Sequence, residues 1–169
     1  EKKFLVFSNG EKIGDGIIKL QLLHEIKTRL PDYKLYWLTN KGKTVYSSTL
    51  KFIASNYIDE VLDQADLSPF FWNKISKRYN LQDESFDYIL DTQKSVIRTV
   101  ALKRIKHKNF ISGSANGFFS TKKIKNNKKR EYYLNYILDL LDLIVTTNRK
   151  SDFKIPISEN LYELISNIL

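Results

Sequence analysis

The feature that most narrows the fold is a change of hydrophobic period near the amino terminus. Phe4, Leu5, Val6 and Phe7 form a continuous apolar run that ends in Ser8-Asn9-Gly10. A run with no polar alternation is the pattern of a strand buried on both faces. Beyond Gly14-Asp15-Gly16, Ile18, Leu22 and Ile26 recur every four residues with Leu23 and Leu30 beside them. That spacing predicts a helix over Gly16–Leu30, closed by Pro31. A buried strand that passes through a glycine turn into an amphipathic helix is the opening of a parallel α/β unit.

The alternation continues along the chain. Lys34–Thr39 (KLYWLT) predicts a second strand and Lys43–Ser55 a second helix, and Tyr57–Leu62 reads as a loop running into a short strand. Ser68 and Pro69 form an N-cap and first-turn pair for a helix through Phe71, Ile75 and Tyr79. Phe86–Leu90 predicts a strand, Lys94–Arg104 a helix and Asn109–Ser112 a fifth strand. A basic loop, Lys122–Arg130, then leads to an amphipathic helix carrying Tyr133, Ile137, Leu140, Leu141 and Ile144. Pro156 and a helix over Glu159–Leu169 read as a linker cut in mid-chain. The expected architecture is a Rossmann-like parallel sheet with helices on both faces. It divides into a domain over residues 1–150 and a linker with its helix over 151–169.

With 169 residues the chain is long enough for one such domain and too short for two. An apolar fraction of 42% with 28% charged residues is that of a globular protein, and no apolar run approaches the ~20 residues of a membrane span. Cysteine is absent, which excludes disulfides, thiolate nucleophiles and cysteine-held metal clusters and fits a reducing cytoplasm. The net charge of +9 favours partners that carry phosphates or carboxylates, whether nucleic acid, anionic lipid or acidic glycan.

In an open parallel sheet, ligands bind at the carboxyl ends of the strands. The first loop there is Ser8–Gly16, SNGEKIGDG, whose glycines allow a tight turn and a close backbone approach. The spacing of Gly10, Gly14 and Gly16 is not a dinucleotide fingerprint, and no Gly-Lys-Ser/Thr follows to make a P-loop. Asp15 has two readings. It can cap the helix, or it can stand as a carboxylate kept ionised by the helix N-terminus and placed to act as a general base. His24, His107, Asp139 and Asp142 lack partners at metal-ligand spacing and read as structural or solvated, and no Asp-x-Asp triplet offers a metal for a nucleotide diphosphate. The basic runs Lys103–Lys108 and Lys122–Arg130 read as solvated surface or as a face for an anionic partner.

Taken in order, four segments resemble a known family. They are the Ile13-Gly14-Asp15 turn, Arg29-Leu30-Pro31-Asp32 followed by Tyr36-Trp37-Leu38-Thr39, Tyr57-Ile58-Asp59-Glu60-Val61, and Phe86 through Gln93. Their order is similar to that in the N-terminal domain of glycosyltransferase family 9, the bacterial heptosyltransferases of lipopolysaccharide core synthesis. The similarity runs from about Phe4 to Ile144, with the Pro156 segment similar to the interdomain linker. The resemblance implies a two-domain GT-B enzyme working at the cytoplasmic face of the inner membrane without metal or cofactor. In it the N-terminal domain binds an acidic lipid-linked acceptor, and a C-terminal domain holds a nucleotide-activated heptose or related sugar. Asp15 matches the aspartate that deprotonates the acceptor hydroxyl, with Gly14 beside it. The family usually has an arginine just after the first strand, where this chain has Ser8. Lys12 is the candidate to replace it, and Lys94 and Arg98 are further candidates to meet acceptor anions. The competing reading is a non-catalytic α/β module whose basic surface binds nucleic acid or anionic lipid. Against nucleic acid stand the lack of any recognisable motif and the placing of most tyrosines and phenylalanines on strand and helix core positions.

Overall fold

The predicted alternation is realised as five parallel strands. They are β1 (Lys2–Ser8), β2 (Tyr33–Thr39), β3 (Glu60–Leu62), β4 (Ser85–Asp91) and β5 (Lys106–Ser112), in spatial order β3-β2-β1-β4-β5. The structure is a computed structural model and describes residues 1–123, 132–149 and 153–154. Most of the predicted basic loop 122–130, Pro156 and the helix expected over Glu159–Leu169 lie outside the described residues.

The run Phe4–Phe7 explains why β1 is central. Phe4 and Val6 face one core, Leu5 and Phe7 the other, and all four are fully buried. Helix α1 (Ile13–Arg29), the short α2 (Lys51–Ala54) and α4 (Tyr133–Asp142) cover the first face, where Trp37 packs edge-on against Tyr46. Helix α3 (Val96–Lys103) and the segment between β3 and β4 cover the second, through Ala101, Leu102, Leu67, Ile75 and Leu81. The sheet is a doubly covered Rossmann-like α/β sheet, as the sequence predicts.

Three expectations change at the level of elements. The helix expected over Lys43–Ser55 is split, with a 3-10 turn at Val45–Ser47 preceding α2. The break is chemical, because the Asp63 carboxylate draws in the Thr44 N–H and the Ser47 hydroxyl and holds the chain as a turn. The helix expected from Ser68 through Tyr79 does not form. Gln64 and Asp66 adopt positive φ, an antiparallel bridge joins Leu67 to Ser76, and Arg104 donates to the carbonyls of Ser68 and Asn73. Tertiary hydrogen bonds there replace the helical ladder, and Phe71, expected to pack inward, is 83% exposed. On α1 the buried stripe is displaced from the expected one. Ile18 is half-exposed, while Lys19, Leu20, Leu23 and Glu25 are buried with Leu22 and Ile26.

Candidate functional site

The strand order reverses between β1 and β4, and α/β sheets open a crevice at the carboxyl ends of such strands. A cleft of about 450 Å³ lies there. Its walls are Ser8, Asn9 and Gly10 after β1, Asp15 and Lys19 of α1, Thr92, Gln93 and Lys94 after β4, and Tyr133 at the start of α4. Gly10 turns the chain with φ of +74°, a conformation that favours glycine, and a Cβ there would lie 3.1 Å from the Lys41 carbonyl oxygen.

The β4 end of the cleft is fixed from below. Asp91 is fully buried; it accepts from the hydroxyls of Thr99 and Ser112 and from the Gln93 N–H at 2.9 Å. Burial pushes its carboxyl above the ordinary range, against those donors. Thr92 donates through its hydroxyl to the Phe7 carbonyl at 2.8 Å, which ties the two strand ends together. Tyr133 donates its hydroxyl to the Thr92 carbonyl at 3.1 Å, and burial pushes its pKa up to about 12.

Lys19 forms the floor. Its Nζ donates to Ser8 Oγ at 2.8 Å, pairs with Glu11 at 3.4 Å and lies 5.6 Å from the centre of the Tyr133 ring. Glu11 is buried as well and accepts the Thr44 hydroxyl through its other oxygen. Desolvation lowers the Lys19 pKa, opposed by the carboxylates of Glu11 and Asp15. A buried cation is thereby held one helical turn from Asp15. Asn9 Oδ1, also at the cleft, is buried without a hydrogen-bond partner among the described residues.

Asp15 is the third residue of α1 and is exposed at the cleft. The helix begins one turn earlier than expected, with Lys12 in the N-cap position and no side chain capping it. The capping reading of Asp15 therefore falls away. Among the described residues no hydrogen bond or ion pair engages its carboxylate. Lys94 lines the same cleft, its Nζ 4.6 Å from the centre of the Tyr136 ring. Gly14 sits between Lys12 and Asp15 on the first turn, and nothing lies within 4 Å of where its Cβ would be. Lys12 is exposed at the N-cap of α1, and Arg98 lies half-buried on the first turn of α3; neither is among the cleft-lining residues.

The same frame resembles that of solved glycosyltransferases. Escherichia coli heptosyltransferase WaaC with ADP superposes with a TM-score of 0.62 at 16% identity, over 89% of this chain and 49% of that one. The same enzyme with ADP-2-deoxy-2-fluoro heptose gives 0.60 at 16% identity, over 89% and 50%. A family 9 glycosyl transferase from Veillonella parvula gives 0.60 at 15% identity, over 94% and 46%. The fold is the one these glycosyltransferases share. The chain spans about half the length of each. No protein-family model matches the sequence, and no curated protein matches it either.

Sequence reasoning missed Lys19, Asn9 and Tyr133. Lys19 was hidden because a lysine within a helical pattern is expected to face water. The available signal was Glu11, an acid eight residues earlier in a loop bound for the interior. Asp139 and Asp142, read as solvated, pair instead with Arg149, and Asp142 also with Arg29. His24 and His107 are structural, His24 packing against Tyr57 and His107 hydrogen-bonding the Ile105 carbonyl.

Proposed function

We propose that the chain is the acceptor-binding half of an inverting glycosyltransferase of lipopolysaccharide core synthesis, with Asp15 as its general base. The observation that supports this best is the place of Asp15, an exposed carboxylate at the switch-point cleft of a glycosyltransferase fold. The acceptor hydroxyl would pass its proton to Asp15 while its oxygen bonds to the anomeric carbon of the donor sugar. The bond from that carbon to the nucleoside diphosphate breaks from the opposite side, and the diphosphate leaves with the electron pair. A positioned base of this kind contributes ~10²–10⁴-fold to the rate.

The remaining residues fit acceptor recognition. Lys94 on the cleft wall, with the buried Lys19 beneath, would supply positive charge suited to an acceptor bearing phosphates or carboxylates. Open space at Gly14 lets a substrate approach the first turn of α1. Lys12 and Arg98, on the same carboxyl edge, would meet outlying acceptor anions. Residues 1–150 would form this domain and 151–169 the linker to a C-terminal domain that holds a nucleotide-diphosphate heptose or related sugar. The lipid of the acceptor would keep the enzyme at the inner face of the inner membrane, with no cofactor required.

Calorimetry of the 169-residue chain against each substrate separately tests this division. An acidic lipid-linked core acceptor should bind, with affinity falling as salt rises and weakened in Lys94→Gln. The nucleotide-heptose donor should not bind measurably. Micromolar donor binding to this chain would place the donor site on this half and contradict the proposed division.

A further inference from the structure

The second face of the sheet carries a feature that the cleft does not use. Phe70, Phe71 and Trp72 form the tip of the segment between β3 and β4, and they are 50%, 83% and 67% exposed. The rings pack on one another, with Phe70 stacked on Trp72 at 5.0 Å and Phe71 edge-on to Trp72 at 4.7 Å. Three adjacent large apolar side chains left in water mark an interaction site rather than a packing remnant.

The tip is held in place from behind. Ile75 and Leu81 anchor the segment in the core, the Arg104 guanidinium donates to the carbonyls of Ser68 and Asn73, and the Ser76 hydroxyl donates to the Ala65 carbonyl. A preformed tip loses little conformational freedom when it binds. Exposed cations follow it directly: Lys74, Lys77 and Arg78. Among the described residues only Lys77 of these faces an acid, Asp66 at 3.1 Å with both groups well exposed, while Arg78 donates to the Gln64 side-chain carbonyl. Such an exposed pair is weak and neutralises little. On the same side of the sheet, α3 leaves Val96, Ile97 and Val100 exposed.

We infer that the loop from Ser68 to Arg78 docks the protein on an anionic lipid surface. Phe71 and Trp72 enter the headgroup level, while Lys74, Lys77 and Arg78 meet the lipid phosphates. The order of groups decides between partners. An apolar tip with cations set behind it matches the depth order of a bilayer, where phosphates lie outside the acyl boundary, and tryptophan favours that boundary. A single-stranded nucleic acid would need ring faces presented separately, with cations between them. Here Phe70 and Trp72 each cover a face of the other. The loop leaves the sheet at its carboxyl edge, where the Ala65 N–H donates to the Thr39 carbonyl at 2.8 Å. The tip itself is held by Arg104, between the end of α3 and the start of β5, and so lies toward the amino ends of the strands rather than at the cleft edge. The inference adds to the transferase reading and does not rest on it.

Tryptophan fluorescence tests it without any substitution. The chain has two tryptophans; Trp37 is fully buried, so a shift in emission reports Trp72. Vesicles of equal parts phosphatidylglycerol and phosphatidylcholine should shift the emission to the blue and carry the protein down on sedimentation. Phosphatidylcholine alone should do so much less. Phe71→Ser with Trp72→Ser should lower partitioning by roughly tenfold. Replacing Lys74, Lys77 and Arg78 together by Gln should lower it on the order of a hundredfold and flatten its salt dependence. Two results would overturn the inference: emission unmoved by anionic vesicles, or the Phe71/Trp72 variant sedimenting like the parent chain. A blue shift with a single-stranded oligonucleotide and none with vesicles would also overturn it and assign the loop to nucleic acid. Failure of Asp15 as a base would leave all of these readouts unchanged.

Discussion

Two glycines that flank Asp15 in the first turn of α1 do opposite work. A Cβ on Gly16 would come within 2.4 Å of Val45 Cγ2, so α1 can lie against the 3-10 turn only because that residue is glycine. Gly16→Ala should destabilise the domain by about 2 kcal/mol in denaturant unfolding. Gly14 has no neighbour within 4 Å, so Gly14→Ala should leave stability equal or raise it by about 0.5 kcal/mol. It should nevertheless raise the acceptor KM in the full enzyme, if the acceptor occupies that space. An unchanged KM would remove Gly14 from the site. Lys19 gives a second test at this scale. Its folded pKa lies below the ordinary 10.5, so between the two values the unfolded chain binds more protons. Its contribution to stability is therefore lost as pH falls through the folded pKa and regained as pH rises toward 10.5. The unfolding free energy of the parent chain, less that of Lys19→Met, should climb over that window; a flat difference would contradict a desolvated lysine. At this scale the sequence pointed to Asp15 through the strand–glycine–helix pattern. It could not point to Lys19, because the burial of a charged side chain depends on Ser8 and Glu11, which meet it only after folding.

The elements most legible in the sequence are those buried on both faces, whose apolar residues run without polar alternation. β1, β2 and β4 are found within a residue or two of their expected limits, since Phe4–Phe7, Leu35–Leu38 and Ile89–Leu90 are buried on one or both faces. The segment 68–79 was illegible for the opposite reason. Ser68-Pro69 is a sound helix start, but Arg104, from another element, takes the carbonyls of Ser68 and Asn73. The junction of α1 and α4 shows the same dependence on distant partners. Arg29, almost wholly buried, pairs with Glu25 and Asp142 and donates to the carbonyls of Val145 and Thr147. That one side chain ties the end of α1 to the end of α4 and the residues after it. Arg29→Met should lower stability by about 3 kcal/mol, read as a fall in the denaturation midpoint at unchanged slope. A loss under 1 kcal/mol would mean that apolar packing alone joins the two helices.

The whole molecule sets the cleft at the reversal of strand order, where β1 and β4 deliver Ser8–Gly10 and Thr92–Lys94 to one point while α1 and α4 bring Asp15, Lys19 and Tyr133. The net charge of +9 acts at the same scale and would raise the local concentration of an anionic partner around the domain. In the proposed transferase, orientation of two substrates by two closing halves is what a single half could not supply, and the rate would depend on that closure. The central claim nonetheless falls on one carboxylate, because every proposed role of the cleft leads to a proton leaving the acceptor hydroxyl. The direct measurement is single-turnover transfer by the proposed full-length transferase and its Asp15→Asn variant, with the donor dissociation constant measured beside it. The account predicts transfer slowed by ~10²–10⁴-fold with donor affinity unchanged. Transfer by Asp15→Asn at the parent rate would contradict it.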